Sequence, residues 1–265
     1  MKHVYRCKFD ETSDLIIDSF NRKIKRISKN SNLDNQDLRS KEELRKKYDN
    51  LIEERKKKSS NSFAICPSYS CNLKCTYCYQ QHSNKINRKT ISDQNLAIAL
   101  DWIKTKITQS KNNSEGSLRN NIELFGGEPF QSHHYQQIET IFAFARKHKI
   151  VVTATSNLAH LNLYYKLLLI NRDCVGNIST TIDGDREFHN SRRKSRDNGA
   201  TYDTVVNNIN FLIKLKIQVT VTINLDPTNF CQLESFLSLA YKNNWTNNPL
   251  VRLEIGRVDD RLFEI

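Results

Sequence analysis

The sequence predicts an α/β fold: a partial (β/α)6 barrel of the TIM type behind a small basic segment. Three observations carry that expectation. From Phe63 onward, short apolar runs alternate with amphipathic helical stretches, the pattern of parallel βαβ units. Six such strands and five helices fit into the 203 residues from 63 to 265, where a closed eight-stranded barrel typically takes ~250. Residues with chemical character fall where strands run out into loops, the functional end of such barrels.

Met1 to Ser62 hold 17 Lys plus Arg against 11 Asp plus Glu, so half of the net charge of +12 lies in under a quarter of the chain. Interleaved acids in LRSKEELRKKYDNLIEERKKK favour a solvated helix with i,i+4 ion pairs over a phosphate-binding patch. Leu15 to Ile27 reads two ways. Ile17, Phe20, Ile24 and Ile27 fit a helical stripe, while LIIDSF and KIKRIS read equally as two strands around Asn21-Arg22. Ser40, with Glu43 three positions on, reads as a capping box opening a helix that runs to about Lys58. Polar SSNS then links this accessory segment, residues 1–62, to the barrel, residues 63–265.

The first barrel strand is FAIC, followed at once by a cysteine-bearing loop. A helix from about Asp93 to Ile107 carries Leu96, Leu100, Ile103 and Ile107 on one face. Strand two, IELF, ends in Gly126-Gly127-Glu128-Pro129. A helix near His133 to Lys147 leads to strand three, IVVTAT, ending at Ser156-Asn157. The helix Leu161 to Ile170 leads to strand four, GNISTTI, ending at Asp183-Gly184, and a basic loop HNSRRKSRDNG follows. Helix Asp203 to Leu215, strand five IQVTVTIN, helix Asn229 to Asn243 and strand six LVRLEI complete the count.

No run approaches the ~18 apolar residues of a membrane span, and MKHVYRCKFDE lacks the apolar region of a signal peptide. Seven cysteines, an odd number with three bunched in one loop, argue against a disulfide framework and for a reducing compartment, which points to the cytoplasm.

The bunched cysteines are Cys71, Cys75 and Cys78, at C-x3-C-x2-C spacing. Three thiolates can hold three corners of a cubane iron-sulfur cluster and leave its fourth iron open to a ligand; a closed structural zinc site wants four. Zinc sites are usually built from paired C-x2-4-C or H-x3-5-H elements, and no second pair follows, although His82 could complete a Cys3His set. Cys66 reads as the end of a buried strand. In FGGEP, two glycines admit close backbone approach to a ligand, a carboxylate follows, and proline fixes the turn.

The cysteine loop, with aromatic Tyr77 before its last cysteine, resembles that of the radical SAM superfamily. FGGEP, about 50 residues on at the end of the next strand, resembles the motif that contacts the methionine amino group in that superfamily. The resemblance implies a 4Fe-4S cluster on Cys71, Cys75 and Cys78, with its open iron chelated by the amino and carboxylate groups of S-adenosyl-L-methionine. One electron through the cluster then splits the sulfonium, and the resulting 5′-deoxyadenosyl radical takes a hydrogen atom from substrate. On the cofactor side it implies Tyr77, Gly126, Gly127, Glu128 and Pro129. TATSNL resembles the T-N-G turn after strand three, which adds Asn157 and puts Leu158 where glycine is usual.

TTIDGDREFHNSRR resembles the S-x-D-G…H…R stretch of maturases that carry a C-terminal SPASM domain, and YDTVVNNINFL resembles the helix that precedes strand five in that group. That match implies Thr181 near the cofactor, Asp183 closing the strand, and Arg193, or the adjacent Arg192, facing the cofactor carboxylate, which a planar guanidinium fork suits. The group implies a peptide or protein substrate and a flavodoxin- or ferredoxin-type electron donor. After Cys78 only Cys174 and Cys231 remain, so the chain is expected to lack the SPASM domain, either as a truncated form or as a minimal enzyme without auxiliary clusters. Two rival readings are a radical SAM enzyme acting on RNA or a nucleotide, weakly supported by the +12 charge, and a non-catalytic, zinc-holding basic module.

Overall fold

A computed structural model describes residues 4–8, 12–18, 23–28, 45–46, 48–51, 61–80, 89–112 and 120–258. The chain divides into two compact units, Met1–Ser59 and Ser60–Ile265. The first holds strands β1 (Val4–Lys8), β2 (Ser13–Asp18) and β3 (Lys23–Ser28) as an antiparallel meander in which Ile17 faces Ile24. The strand reading of Leu15 to Ile27 therefore holds and the helical stripe does not. Its isoleucines are β-branched, stiff at χ1 and at ease in extended backbone. Residues 45–46 and 48–51 are helical. Asn21-Arg22 and the Ser40–Glu43 capping pair lie outside the described residues.

The second unit is built on six parallel strands: β4 (Ser62–Ile65), β5 (Asn121–Leu124), β6 (Val151–Thr155), β7 (Val175–Thr181), β8 (Val219–Leu225) and β9 (Val251–Arg257). Their spatial order equals their chain order and the sheet is open, with β4 and β9 at its edges. Between them run α1 (Asp93–Asn112), α2 (Tyr135–His148), α3 (Tyr165–Ile170), α4 (Arg186–Arg192), α5 (Tyr202–Lys214) and α6 (Gln232–Lys242). This is the partial barrel that the alternation of strands and helices predicts. The helix read from His133 starts as a single 3-10 turn, Ser132–His134, and the one read from Leu161 likewise starts as Leu161–Tyr164.

The alternation of side chains along each strand separates the two faces of the sheet. Ile122, Leu124, Val152, Ala154, Val219, Val221 and Ile223 are buried in one core with Leu96, Leu100, Ile103 and Ile107 of α1 and with Ile138, Ile141 and Phe142 of α2. The other face is polar. There Thr153 Oγ1 donates to Asn121 Oδ1 (3.2 Å), Thr220 Oγ1 to Asn177 Oδ1 (3.0 Å), and Asn177 Nδ2 to Ser179 Oγ (2.9 Å). Between β6 and β7 the register slips by one residue, Val152 pairing with Val175 but Ala154 with Ile178. Such a bulge re-aims the end of a strand.

Three helices stop without glycine. Lys149, Lys216 and Asn244 adopt left-handed backbone at φ 56°, 63° and 56°. In each case the next residue, Ile150, Ile217 or Trp245, donates its N–H back to Ala145, Leu212 or Ala240 at 2.9, 3.0 and 2.8 Å and is buried. The left-handed residue costs about 1–2 kcal/mol. Burying a large apolar side chain just beyond it returns a similar amount or more. The first half of the stretch read as a basic loop is in fact helical: α4 spans Arg186–Arg192 because Asp185 caps it, its Oδ1 accepting from Phe188 N–H at 2.8 Å. No described helix is long and apolar enough to cross a membrane.

Trp245 is 1% exposed and its indole N–H donates to Asn210 Oδ1 at 2.8 Å, tying α6 to α5. Trp245→Ala is expected to lower stability by about 3–5 kcal/mol, measured as a shift in the urea midpoint; a loss under about 1 kcal/mol would show that this end of the barrel is not packed as described.

Candidate active site

The segment between β4 and α1 that carries the three cysteines has neither helix nor strand between Cys66 and Gln80, and two neighbours hold it by backbone hydrogen bonds. On one side is the turn after β5. Gly127 N–H donates to Ser68 O (3.0 Å), Glu128 N–H to Ser70 O (2.9 Å), and the Gln131 amide to Ser70 O (2.8 Å). On the other side is the stretch after α4, where Lys74 N–H donates to Lys194 O (2.8 Å), Thr76 N–H to Arg192 O (2.9 Å), and Arg196 N–H to Asn72 O (2.9 Å). Leu73, 1% exposed, forms an isolated bridge with Ser195, and Arg196 Nε donates to Cys71 O (2.7 Å).

The glycines act differently from the sequence expectation. A Cβ on Gly127 would stand 2.1 Å from Ser70 O, and one on Gly126, whose φ is +137°, would stand 2.6 Å from Ser68 O and from Cys66 Sγ. The close approach that requires glycine is thus to the backbone of the cysteine loop. Both glycines also line the cavity beside it.

That cavity, about 350 Å³, opens where the strands end. Nine of the twelve residues singled out from sequence line it: Cys71, Cys75, Tyr77, Cys78, Gly126, Gly127, Asn157, Thr181 and Arg193. The structure places the other three, Glu128, Pro129 and Asp183, behind the wall. The Glu128 carboxylate is 1% exposed and accepts from Ser156 Oγ (2.7 Å), Asn157 N–H (2.7 Å) and Phe130 N–H (3.0 Å). It staples the turn after β5 to the turn after β6 and has no face toward the cavity. Burial pushes its pKa up, against the pull of these donors. The Pro129 carbonyl is engaged by buried His134 Nδ1 at 3.1 Å.

Asp183, fully buried, accepts from Tyr77 Oη at 2.5 Å and from Asn224 N–H at 3.1 Å. Tyr77 Oη in turn accepts from Arg193 Nη1 (2.6 Å) and Asn224 Nδ2 (3.4 Å). Burial raises the phenol pKa, keeping the proton this chain of bonds needs. Around Arg193, burial opposes the charge, but Tyr77, Cys75 and Asp183 more than offset it, so its pKa rises. The two arginines therefore separate. Arg193 lines the cavity, whereas Arg192 turns away, pairing with Asp226 (2.8 Å) and Asp183 (3.9 Å) and lying over the Tyr77 ring at 4.6 Å.

Sequence reasoning passed over Ser156, Ser179, Thr222 and Asn224, which also line the cavity. All are polar residues at or near strand ends, a signal that could have found them, whereas Asn157 and Thr181 came from motif resemblance.

Leu158, where glycine was expected, takes a left-handed φ of 60° and is fully buried. Its carbonyl accepts from Asn208 Nδ2 (2.6 Å) and its N–H donates to Ser156 Oγ (2.9 Å), so neighbours fix the backbone that glycine would adopt freely.

Burial, with Glu128 nearby, pushes the Cys71 thiol up to about 12, and burial raises Cys75 as well. Leu73 N–H (3.4 Å) and Asn157 Nδ2 (3.7 Å) point at Cys71 Sγ, donors that favour a thiolate once a metal displaces its proton. Cys66 keeps to the loop's inner side against Gly126, Cys174 is buried at the start of β7, and Cys231 is exposed before α6. Among the described residues no three His, Cys, Asp or Glu side chains gather as around one ion. Thiolates bonded at ~2.3 Å to a single zinc would crowd together, whereas a cluster takes each thiolate at a different iron. His82 lies outside the described residues.

This fold and this cavity define a radical SAM protein. The radical SAM superfamily matches residues 65–240, and the chain belongs to it. Its members are enzymes whose cofactors are a 4Fe-4S cluster and S-adenosylmethionine, and three thiols around one cavity mouth, leaving one corner free, fit that pair. Among solved structures, the anaerobic sulfatase-maturase anSMEcpe, described with bound AdoMet and a peptide, is similar at TM-score 0.62 and 20% identity, over 78% of this chain and 53% of that one. SuiB of Streptococcus suis, described bound to its precursor peptide SuiA, is similar at TM-score 0.54 and 14% identity, over 97% of this chain and 62% of that one. At these identities the likeness is one of fold. The chain spans about half the length of the first of these structures. No curated protein matches it in sequence.

Two predictions follow from this geometry. Gly127→Val should lower iron per chain after anaerobic reconstitution, because the new side chain meets the Ser70 carbonyl and displaces the cysteine loop; full iron loading with lost AdoMet affinity would return the glycine's role to the cofactor. The second concerns His189, buried beneath Asp183, where Nδ1 accepts from Asp183 N–H (3.3 Å) and Nε2 meets Thr201 Oγ1 (3.2 Å). Burial, helped by Arg193, depresses its pKa to about 3. Protonation then favours the unfolded chain, so the stability His189 contributes is complete above pH ~6.5 and lost as pH falls toward 3. Urea curves should show about 2 kcal/mol of loss from this residue between pH 6.5 and 5, and a shallower decline in His189→Gln; equal slopes would contradict the assignment.

Proposed function

We propose that the chain is a radical SAM enzyme of the peptide- and protein-modifying type, taking hydrogen from a residue of a polypeptide substrate. The observation that carries the reading is the single cavity lined at once by Cys71, Cys75, Cys78, the Gly126-Gly127 turn, Asn157, Thr181 and Arg193. We assign residues 1–62 as an accessory segment and 63–265 as the catalytic barrel. When bound, the cluster and S-adenosylmethionine together supply a radical able to abstract hydrogen from an unactivated carbon.

The chain's own residues hold that chemistry. The three cysteines ligate the cluster. Arg193, locked by Tyr77, presents its fork to the cofactor carboxylate without having to be ordered on binding. Asn157 and Thr181 line the same wall. Peptides named with the two solved structures above support a polypeptide substrate, as does the D-G-x(4)-H…R stretch from Asp183 to Arg193. A flavodoxin- or ferredoxin-type protein would supply the electron, and the reducing cytoplasm would keep the thiols free.

The test has two parts. Anaerobically reconstituted Cys75→Ala should lose most of its iron while Cys174→Ala and Cys231→Ala keep theirs; iron retained by Cys75→Ala, or zinc in place of iron, contradicts the ligand set. With dithionite and S-adenosylmethionine, the loaded chain should form 5′-deoxyadenosine, and a short precursor peptide encoded beside its gene should gain a mass change; cleavage stimulated by RNA and not by peptide would overturn the substrate class.

A further inference from the structure

The stretch 192–196 zips along the outer side of the cysteine loop, and its side chains divide in two directions. Arg192 and Arg193 turn inward to Asp226, Asp183 and Tyr77, whereas Lys194 and Arg196 are exposed on the outer side. Half-buried Lys74 joins them, since its backbone N–H is bonded to the Lys194 carbonyl. Among the described residues none of these three cations is in an ion pair. Asp197, the adjacent acid, already accepts from Gly199 N–H (3.1 Å) and from Ser195 Oγ. A groove of about 350 Å³ runs beside the ridge, lined by Asn72, His160, Ser195, Arg196 and Thr204. The result is a cationic ridge beside a polar groove whose lining shares no residue with that of the cavity.

The ridge lies beside two of the proposed cluster ligands. Arg196 Nε holds the Cys71 carbonyl, and Lys74 directly precedes Cys75. An electron arriving at this ridge would enter beside the proposed cluster ligands Cys71 and Cys75.

We propose that this ridge, Lys74, Lys194 and Arg196, is the docking surface for an acidic one-electron carrier protein. The inference rests on the functional reading above. Weak electron-transfer complexes bury little surface, under about 1,200 Å², and use charge to orient the partner and speed encounter. Three cations around a ligand loop, without an ion pair among the described residues, suit such a brief contact. In the transfer itself no bond forms or breaks: the carrier's reduced flavin or iron-sulfur centre is oxidised by one electron and the cluster gains it.

Binding of reduced flavodoxin to the cluster-loaded chain, measured by calorimetry at 50 and 300 mM salt, tests this directly. Lys74→Glu/Lys194→Glu should weaken binding about tenfold at low salt and flatten its salt dependence. Lys147→Glu/Lys149→Glu, the same change of charge at the end of α2, should not. Iron content and dithionite-driven deoxyadenosine formation should be unchanged in both variants, because dithionite needs no docking site. Equal flavodoxin affinity in the two variants, or a ridge variant that loses RNA affinity and keeps flavodoxin affinity, overturns the proposal. Failure of dithionite-driven cleavage in the unmodified chain would instead overturn the functional reading on which it rests.

Discussion

The close contact between the turn after β5 and the cysteine loop is the constraint on which the site depends. A loop without helix or strand has no shape of its own, so its backbone donors and acceptors must be met from outside. Here Ser68 and Ser70 are met by Gly127, Glu128 and Gln131, and residues 72–76 by residues 192–196. The first of these contacts is possible only because Gly126 and Gly127 lack a Cβ. Glu128 then anchors the turn to the end of β6 through Ser156 and Asn157, so the ends of β5 and β6 are coupled through one buried carboxylate, while its backbone N–H holds the loop after β4. Its burial would be costly without those three donors.

A second junction joins the loop to the far strands. Tyr77 Oη is shared by Asp183 after β7, Arg193 after α4 and Asn224 of β8, and Arg192 covers the ring. Buried charges of this kind contribute little net stability, because desolvation offsets their attraction. What they fix is direction: one arginine toward the cavity and the other toward Asp226. The same division leaves Lys194 and Arg196 to the outside, which gives the basic stretch three different uses within five residues.

Much of the barrel was legible because period and composition agree. Leu96, Leu100, Ile103 and Ile107 recur at helical spacing and all are buried, and strands such as β5 and β8 alternate polar and apolar residues as a two-faced sheet requires. The helix ends were less legible, since Lys149, Lys216 and Asn244 occupy positions where glycine would have announced the turn. The site was legible as to which residues matter, less so as to how. A motif says that Glu128 and Asp183 belong near the cavity, but only packing shows that they face away from it and hold other groups. Nor could spacing choose between Arg192 and Arg193, adjacent residues of one type whose partners, Asp226 and Tyr77, lie far off in sequence.

The central claim is that the cysteine loop and the cavity beneath it are one site, where S-adenosylmethionine meets the cluster. Electron-nuclear double resonance on the reduced, cluster-loaded chain, with S-adenosylmethionine carrying ¹³C in its carboxylate and ¹⁵N in its amino group, measures that contact directly. The account predicts hyperfine coupling from both labels, weakened when Arg193 is replaced by Lys. A cluster signal that is unchanged by saturating S-adenosylmethionine would contradict it.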